Sequence, residues 1–250
     1  MFLALPVELR LRIAEYALEQ RPAAGIPHIG LPLRQYKHQY RPSENLSLLL
    51  VCRQFALDFT PLAYNKTRFT LWTEHDVARM RNLPPHKLRN IRKLGFEPWS
   101  VRCEEWTGTG SSESFFCNQE QLRLDELVFF WPHNWVHMID VRLVVRFLRR
   151  VRHIRTIKFV QYGGIKETRR NEYRSLIGMI MKEDHFQRYD APGAPNIEAT
   201  WWDWHLNSQQ NIHTFQAQEP RPVLPEEDYM LLMKPRVDAL MAEAEQAIAL

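Results

Sequence analysis

Three stretches decide how this chain folds: Ile91-Arg92-Lys93-Leu94-Gly95-Phe96, Leu124-Asp125-Glu126-Leu127-Val128-Phe129 and Ile154-Arg155-Thr156-Ile157-Lys158-Phe159. Each reads apolar-x-x-apolar-x-Phe. Successive side chains of an extended strand point to opposite faces, so the fourth and sixth residues of each stretch share a face. Leu94 with Phe96, Leu127 with Phe129 and Ile157 with Phe159 are therefore the expected core pairs. The stretches begin 33 and 30 residues apart, which leaves room for a crossover helix and predicts parallel pairing. Ile139, Val141, Leu143, Val144, Phe147, Leu148 and Val151 recur at helical spacing and predict a helix over 138–152, and a shorter one is expected over 77–83, before Pro84-Pro85. Phe69-Thr70-Leu71 is the expected leading strand, and 199–206 the trailing one.

The pattern resembles the L-x-x-L-x-L strand of leucine-rich repeats, and Leu88 and Val151 extend it by an apolar residue three places earlier. The expected fold class is α/β. A helical head over 1–65 is followed by an irregular leucine-rich-repeat-like curved sheet with helices over 66–218, and 219–250 holds a capping helix. Pro235 should start that helix, which continues through Val237, Leu240, Met241, Ala244 and Ile248. The uneven spacing leaves a non-repeat α/β domain as the alternative.

In the head, Leu5-Pro6-Val7-Glu8 reads as a helix start, with proline at the first helical position and Glu8 at the positive end. The helix is expected to reach about Gln20. Leu9, Ile13 and Tyr16 form one apolar stripe and Leu11, Ala14 and Leu18 a second, so two of its sides need apolar company. Residues 21–42 hold Pro22, Gly25, Pro27, Gly30, Pro32 and Pro42, the composition of an exposed insertion. Ser43 or Asn45 then caps a second helix through Leu46, Leu50 and Phe55, with Pro61 expected to break it.

Phe2 to Arg10, with its Leu5-Pro6-Val7-Glu8-Leu9, and Leu49-Leu50-Val51-Cys52-Arg53-Gln54-Phe55 resemble the F-box-like head of a large group of fungal proteins. LPxEL and VCRxF are the specific parts, and the resemblance covers the first quarter of the chain; the insertion at 21–42 departs from a compact F-box. It implies docking on a Skp-type linker protein of a cullin-RING ubiquitin ligase through Leu5, Pro6, Glu8, Leu9, Ile13, Leu50, Val51, Cys52, Arg53 and Phe55, with the body holding an unknown protein target. The same helices would otherwise cap the following domain.

Hydrophobic residues at 45% and charged ones at 25% exclude wholesale disorder in 250 residues. No apolar run approaches the roughly 18 residues that span a bilayer, so no membrane role is expected. Met1 to Val7 runs into Glu8, Arg10 and Arg12 without a signal-peptide pattern, and three cysteines without CxxC spacing suit reduced thiols. A cytoplasmic or nuclear protein is expected.

The net charge of +4 divides into local opposites. Arg142, Arg146, Arg149 and Arg150 form a basic face on the 138–152 helix, while Glu226, Glu227 and Asp228 lead an acidic tail. That face supports an alternative reading, a nucleic-acid-binding or stand-alone interaction scaffold, although no RNA- or DNA-reading pattern accompanies it and nucleic acid is not the expected partner. The strand ends supply a candidate target-binding rim of Trp99, Trp131, His133, Trp135 and Tyr162, aromatics that suit binding hot spots or plug the sheet edge. His133, His137 and Asp140 have metal-ligand spacing but no glutamate base, and Gly108-Thr109-Gly110 lacks the Lys-Ser/Thr of a phosphate loop. No catalytic residue, metal or cofactor is expected.

Overall fold

The computed structural model describes residues 2–20, 24, 40–97, 115–118, 120–132, 140–162, 166–192, 194, 199–207 and 212–248. Within them the backbone alone is described at 115, 118, 132, 161–162, 166–175, 199, 206–207 and 243–248. The chain forms a mixed six-stranded sheet in the order β1-β2-β3-β4-β6-β5, with β5 at Ala199–Asn207 and β6 at Ile212–Arg221. Strands β1 (Arg68–Leu71), β2 (Lys93–Phe96), β3 (Leu124–Pro132) and β4 (Ile154–Tyr162) run parallel in chain order.

The repeated pattern sets their register. Leu94 pairs with Leu127 and Leu127 with Ile157, while Phe96, Phe129 and Phe159 form the row beside them. Phe129 stacks on Phe159 at 5.1 Å, and Phe96 meets Phe129 edge-on at 5.8 Å. Among the described residues, the crossover helices all contribute to this one face. Val77 and Met80 come from α4 (Glu74–Arg81), Leu88 from α5 (Pro85–Leu88), Phe116 from α6 (Phe115–Asn118), and Val144 and Phe147 from α7 (Val141–Arg150). Each such side chain contributes roughly 1.5–3 kcal/mol through burial. A slip of one residue would turn every core side chain of a strand to the wrong face, so this face pins the register.

The opposite face is narrower and partly ionic. Val128, Phe130, Val160 and Ile212 cluster there under Trp72. A Cβ on Gly95 would lie 2.6 Å from Phe130 Cζ, which is why glycine stands where a β-branched residue would suit the strand. Buried Arg68 and half-buried Lys158 both donate to Glu126. Burial raises the Glu126 pKa, but the two cations outweigh it and hold the carboxyl below its usual range.

In the head, α1 (Val7–Ala17) packs on α3 (Arg53–Lys66) through Ala14, Leu18, Phe59 and Ala63. Arg10 Nη1 lies 2.5 Å from Asp58 Oδ2 across that contact. Several expectations are corrected here. Pro6 is the N-cap of α1, not its first helical residue, and the helix stops at Ala17 rather than near Gln20. The second helix is divided into α2 (Pro42–Leu46), a 3-10 turn over Ser47–Leu50 and α3, because Cys52 is fully extended at φ −162°. Pro61 sits inside α3 without ending it. Burial of Phe59 and Ala63 on either side offsets its lost hydrogen bond, and the Thr60 hydroxyl donates to the Ala56 carbonyl at 2.5 Å. Pro42 begins α2, so it belongs to the head's helices and not to the insertion.

The far side of the sheet also differs from expectation. The trailing strand, β5 (Ala199–Asn207), is an edge strand antiparallel to β6 (Ile212–Arg221), and β6 lies between it and β4. The body thus extends past 218 to Arg221. The final helix, α9, runs from Glu226 to Ile248, beginning after Pro225 rather than at Pro235. Glu226, Glu227 and Asp228 form its first turn, where carboxylates complement the helix dipole. Pro235 is internal, carried by packing of Met233 before it and Leu240 after it. Helix α7 is shorter than 138–152 because Asp140 caps it, accepting from the Arg142 backbone at 3.0 Å.

Candidate functional site

The two stripes of α1 have different fates. Ala14 and Leu18 of one are buried against α3, although its Leu11 is 37% exposed, whereas Leu9 of the other is 52% exposed, Ile13 48% and Tyr16 71%. Leu50 at the end of the 3-10 turn and Val51 just after it are exposed as well. Of the other residues expected at a linker surface, Pro6, Glu8 and Arg53 are exposed, while Leu5 and Cys52 are half-buried. Phe55 does not belong to that surface: it packs inward on Phe2 at 5.2 Å and Phe59 at 5.1 Å. Its place on the inner side of α3, four residues before Phe59, makes it part of the head's own core.

The rim divides differently. Trp99, His133 and Trp135 lie outside the described residues, as do His137 and 108–112, and at Tyr162 only the backbone is described. Trp131 is not a rim residue. Strand β3 continues three residues beyond the repeated pattern, and parity puts the second of them, Trp131, on the face of Phe129, 6.3 Å from it and 6.1 Å from Phe159. It is 3% exposed. The Asp140 carboxylate is held by the Arg142 guanidinium at 3.0 Å.

The basic face of α7 is also reduced. Arg142, Arg146 and Arg150 lie at the surface, but Arg149 turns inward, donating to the Gln187 carbonyl at 2.9 Å. It enters a cavity of about 120 Å³ under the antiparallel hairpin, enclosed by α7, α8 (Lys166–His185), β5, β6 and α9. After His185, α8 continues as a π-helical turn over Phe186–Asp190, which carries Arg188 into the same space.

Arginines and aromatic rings dominate this cavity. The Arg188 guanidinium sits 4.4 Å over the Trp201 ring and 5.5 Å from Tyr229, and Arg221 approaches Trp201 at 4.9 Å. Arg236 covers Trp204 at 4.8 Å and pairs with Asp203. These are cation–π contacts, which are strongest where water is excluded. Asp184 accepts from Arg188 Nε at 2.7 Å and from the Tyr229 hydroxyl at 3.0 Å. Burial, followed by the charge of Asp184, pushes the Tyr229 pKa far up, so that hydroxyl stays a donor. Burial and the like charge of Arg188 lower the pKa of Arg149.

The sequence had drawn attention to parts of this site, Arg149 as part of a basic face and 199–206 as a strand. It had not singled out Arg188, Tyr229 or Arg236. An arginine and a tyrosine beside one another at 188–189, among aromatic residues at helical spacing, were the available signal, but five elements distant along the chain must meet before they form a site. Among the described residues no group of three or more His, Cys, Asp or Glu side chains is arranged to hold a metal, and no helix is long and apolar enough to cross a membrane. No protein-family model matches the chain, and no curated protein or solved structure is significantly similar to it.

Proposed function

We propose that the chain is an F-box-like adaptor, its head docking on a Skp-type linker subunit of a cullin-RING ubiquitin ligase and its leucine-rich-repeat-like α/β body holding a protein target. The observation that carries the reading is the outward stripe of α1: Leu9, Ile13 and Tyr16 stay exposed while Ala14 and, just past the helix, Leu18 are buried against α3. Isolated exposed apolar residues are ordinary, but a helical stripe, together with Leu50 at 86% and Val51 at 64% exposure elsewhere in the head, is the kind of surface that partners cover. In this reading the chain carries out no chemistry and acts by proximity. The basic face is narrower than the sequence suggested, with Arg149 turned inward, so nucleic-acid binding is not proposed.

The test is binding of a purified Skp-type linker protein to this chain and to a Leu9→Asp/Ile13→Asp variant. Both residues are half exposed, so the variant should fold, while each charge at the contact removes roughly 1.5–3 kcal/mol of apolar burial. The expected result is a complex with the unmodified chain and a loss of about 100-fold or more in the variant, with its circular dichroism unchanged. Absence of a complex with the unmodified chain overturns the proposal.

A further inference from the structure

We infer that the arginine-lined cavity under the β5–β6 hairpin is a binding site for a phosphoryl group. The inference does not rest on the adaptor reading, since the cavity lies at the β5 edge of the sheet and the head adjoins the β1 edge. Arg188 is 5% exposed, and its Nη1 has no hydrogen-bond partner among the described residues. Nε and Nη2 of Arg149, lining the same cavity, are buried and equally without one. Buried guanidinium nitrogens left without an acceptor are costly, and folded proteins retain very few of them. Three such nitrogens from two arginines in one cavity mark a place where an acceptor with several oxygens belongs.

The charges give the valence. Arg149, Arg188, Arg221 and Arg236 line the space with Asp184 and Asp203, an excess of two positive charges. Asp184 is committed to Arg188 and Tyr229, and Asp203 to Arg236. Arg149 and Arg221 have no carboxylate partner among the described residues. A phosphate monoester carries about two negative charges at neutral pH and offers three acceptor oxygens, and guanidinium forks match its geometry in a bidentate manner. The size excludes a larger buried ligand. At about 120 Å³ the cavity is smaller than the 150 Å³ or so that takes up benzene, and three arginines already cover the faces of Trp201 and Trp204. The phosphoryl group enters; whatever bears it stays outside, past the exposed Arg221.

That group can come from a free phosphate or from a phosphorylated peptide, so the test has both arms. Inorganic phosphate and a phosphoserine peptide are titrated into the full chain, with sodium chloride at matched ionic strength and the unphosphorylated peptide as controls. Binding is read by calorimetry and by melting temperature. The expected result is specific binding of at least one phosphoryl probe, with a rise of about 5 °C or more at a hundredfold excess over Kd. Binding of phosphate itself assigns the site to small phosphates, and binding of the peptide alone assigns it to phosphorylated protein. Arg149→Met should lose affinity about tenfold or more, without lowering the ligand-free melting temperature, because it relieves the repulsion from Arg188. Arg221→Met, an exposed change, should weaken binding severalfold, and Arg146→Met on the outer side of α7 should leave it unchanged. Neither probe exceeding the chloride control, or full affinity in both Arg149→Met and Arg221→Met, overturns the inference.

Discussion

His213 offers a prediction that the structure makes quantitative. It lies on β6 opposite Phe159 of β4, shares a face with Phe215, and is 1% exposed. Burial pushes its imidazole down from 6.5 to about 3. In the fold it is neutral across the ordinary pH range, whereas in the unfolded chain it takes up a proton below about 6.5. The unfolded state then binds more protons, so stability rises with pH and is lost as pH falls from 6.5 toward 3, at about 1.4 kcal/mol per pH unit. At pH 5.0 the loss from this residue is about 2 kcal/mol relative to pH 7.5. Urea denaturation at pH 7.5, 6.0 and 5.0 measures it. With a slope near 3 kcal/mol per molar, the midpoint should fall by roughly 0.7 M. His213→Leu keeps the position apolar and removes the titrating group, so its midpoint should move less than that of the unmodified chain by the same 0.7 M. Ordinary carboxylates, which titrate near pH 4, enter mainly below this window. If His213→Leu and the unmodified chain lose equal stability between pH 7.5 and 5.0, the reasoning about His213 is refuted.

Two further changes probe the second face of the sheet. Glu126→Ala leaves buried Arg68 without its carboxylate and should cost about 3–5 kcal/mol by denaturant titration; Arg68→Met/Glu126→Leu, which removes both charges, should cost clearly less. Gly95→Val places side-chain carbon where Phe130 stands, 2.6 Å from Cβ, and should destabilise by about 1–3 kcal/mol, an effect that Phe130→Leu in the same chain should partly relieve.

What was legible in the sequence was legible because it is periodic. Leu94 and Phe96, Leu127 and Phe129, and Ile157 and Phe159 carry one pattern at three places, and parallel neighbours with a shared register satisfy it at once. The two stripes of α1 were equally readable, down to the fact that both sides of the helix are apolar. Misreadings arose at single residues whose role depends on parity or on a distant neighbour. Trp131 looked like the start of a loop and instead continues a strand, and Phe55 looked like surface but faces Phe2 and Phe59. Strand β6 left little trace, because His213, Thr214, Gln216 and Gln218 interrupt any apolar alternation and are accommodated by the strands on either side. Pro61 and Pro235 read as helix boundaries because the local cost of proline is visible in a sequence, while the packing that offsets it is not.

By itself, then, the sequence determined the parallel half of the sheet, the face each repeated residue takes and the amphipathic character of the head, all properties of short stretches with a fixed side-chain period. The tertiary structure alone decided the antiparallel half, the burial of Trp131 and the cavity where Arg149 meets Arg188. Those depend on residues from α7, the end of α8, β5, β6 and α9 arriving at one place, and a charge buried between elements carries no mark in the order of residues along the chain.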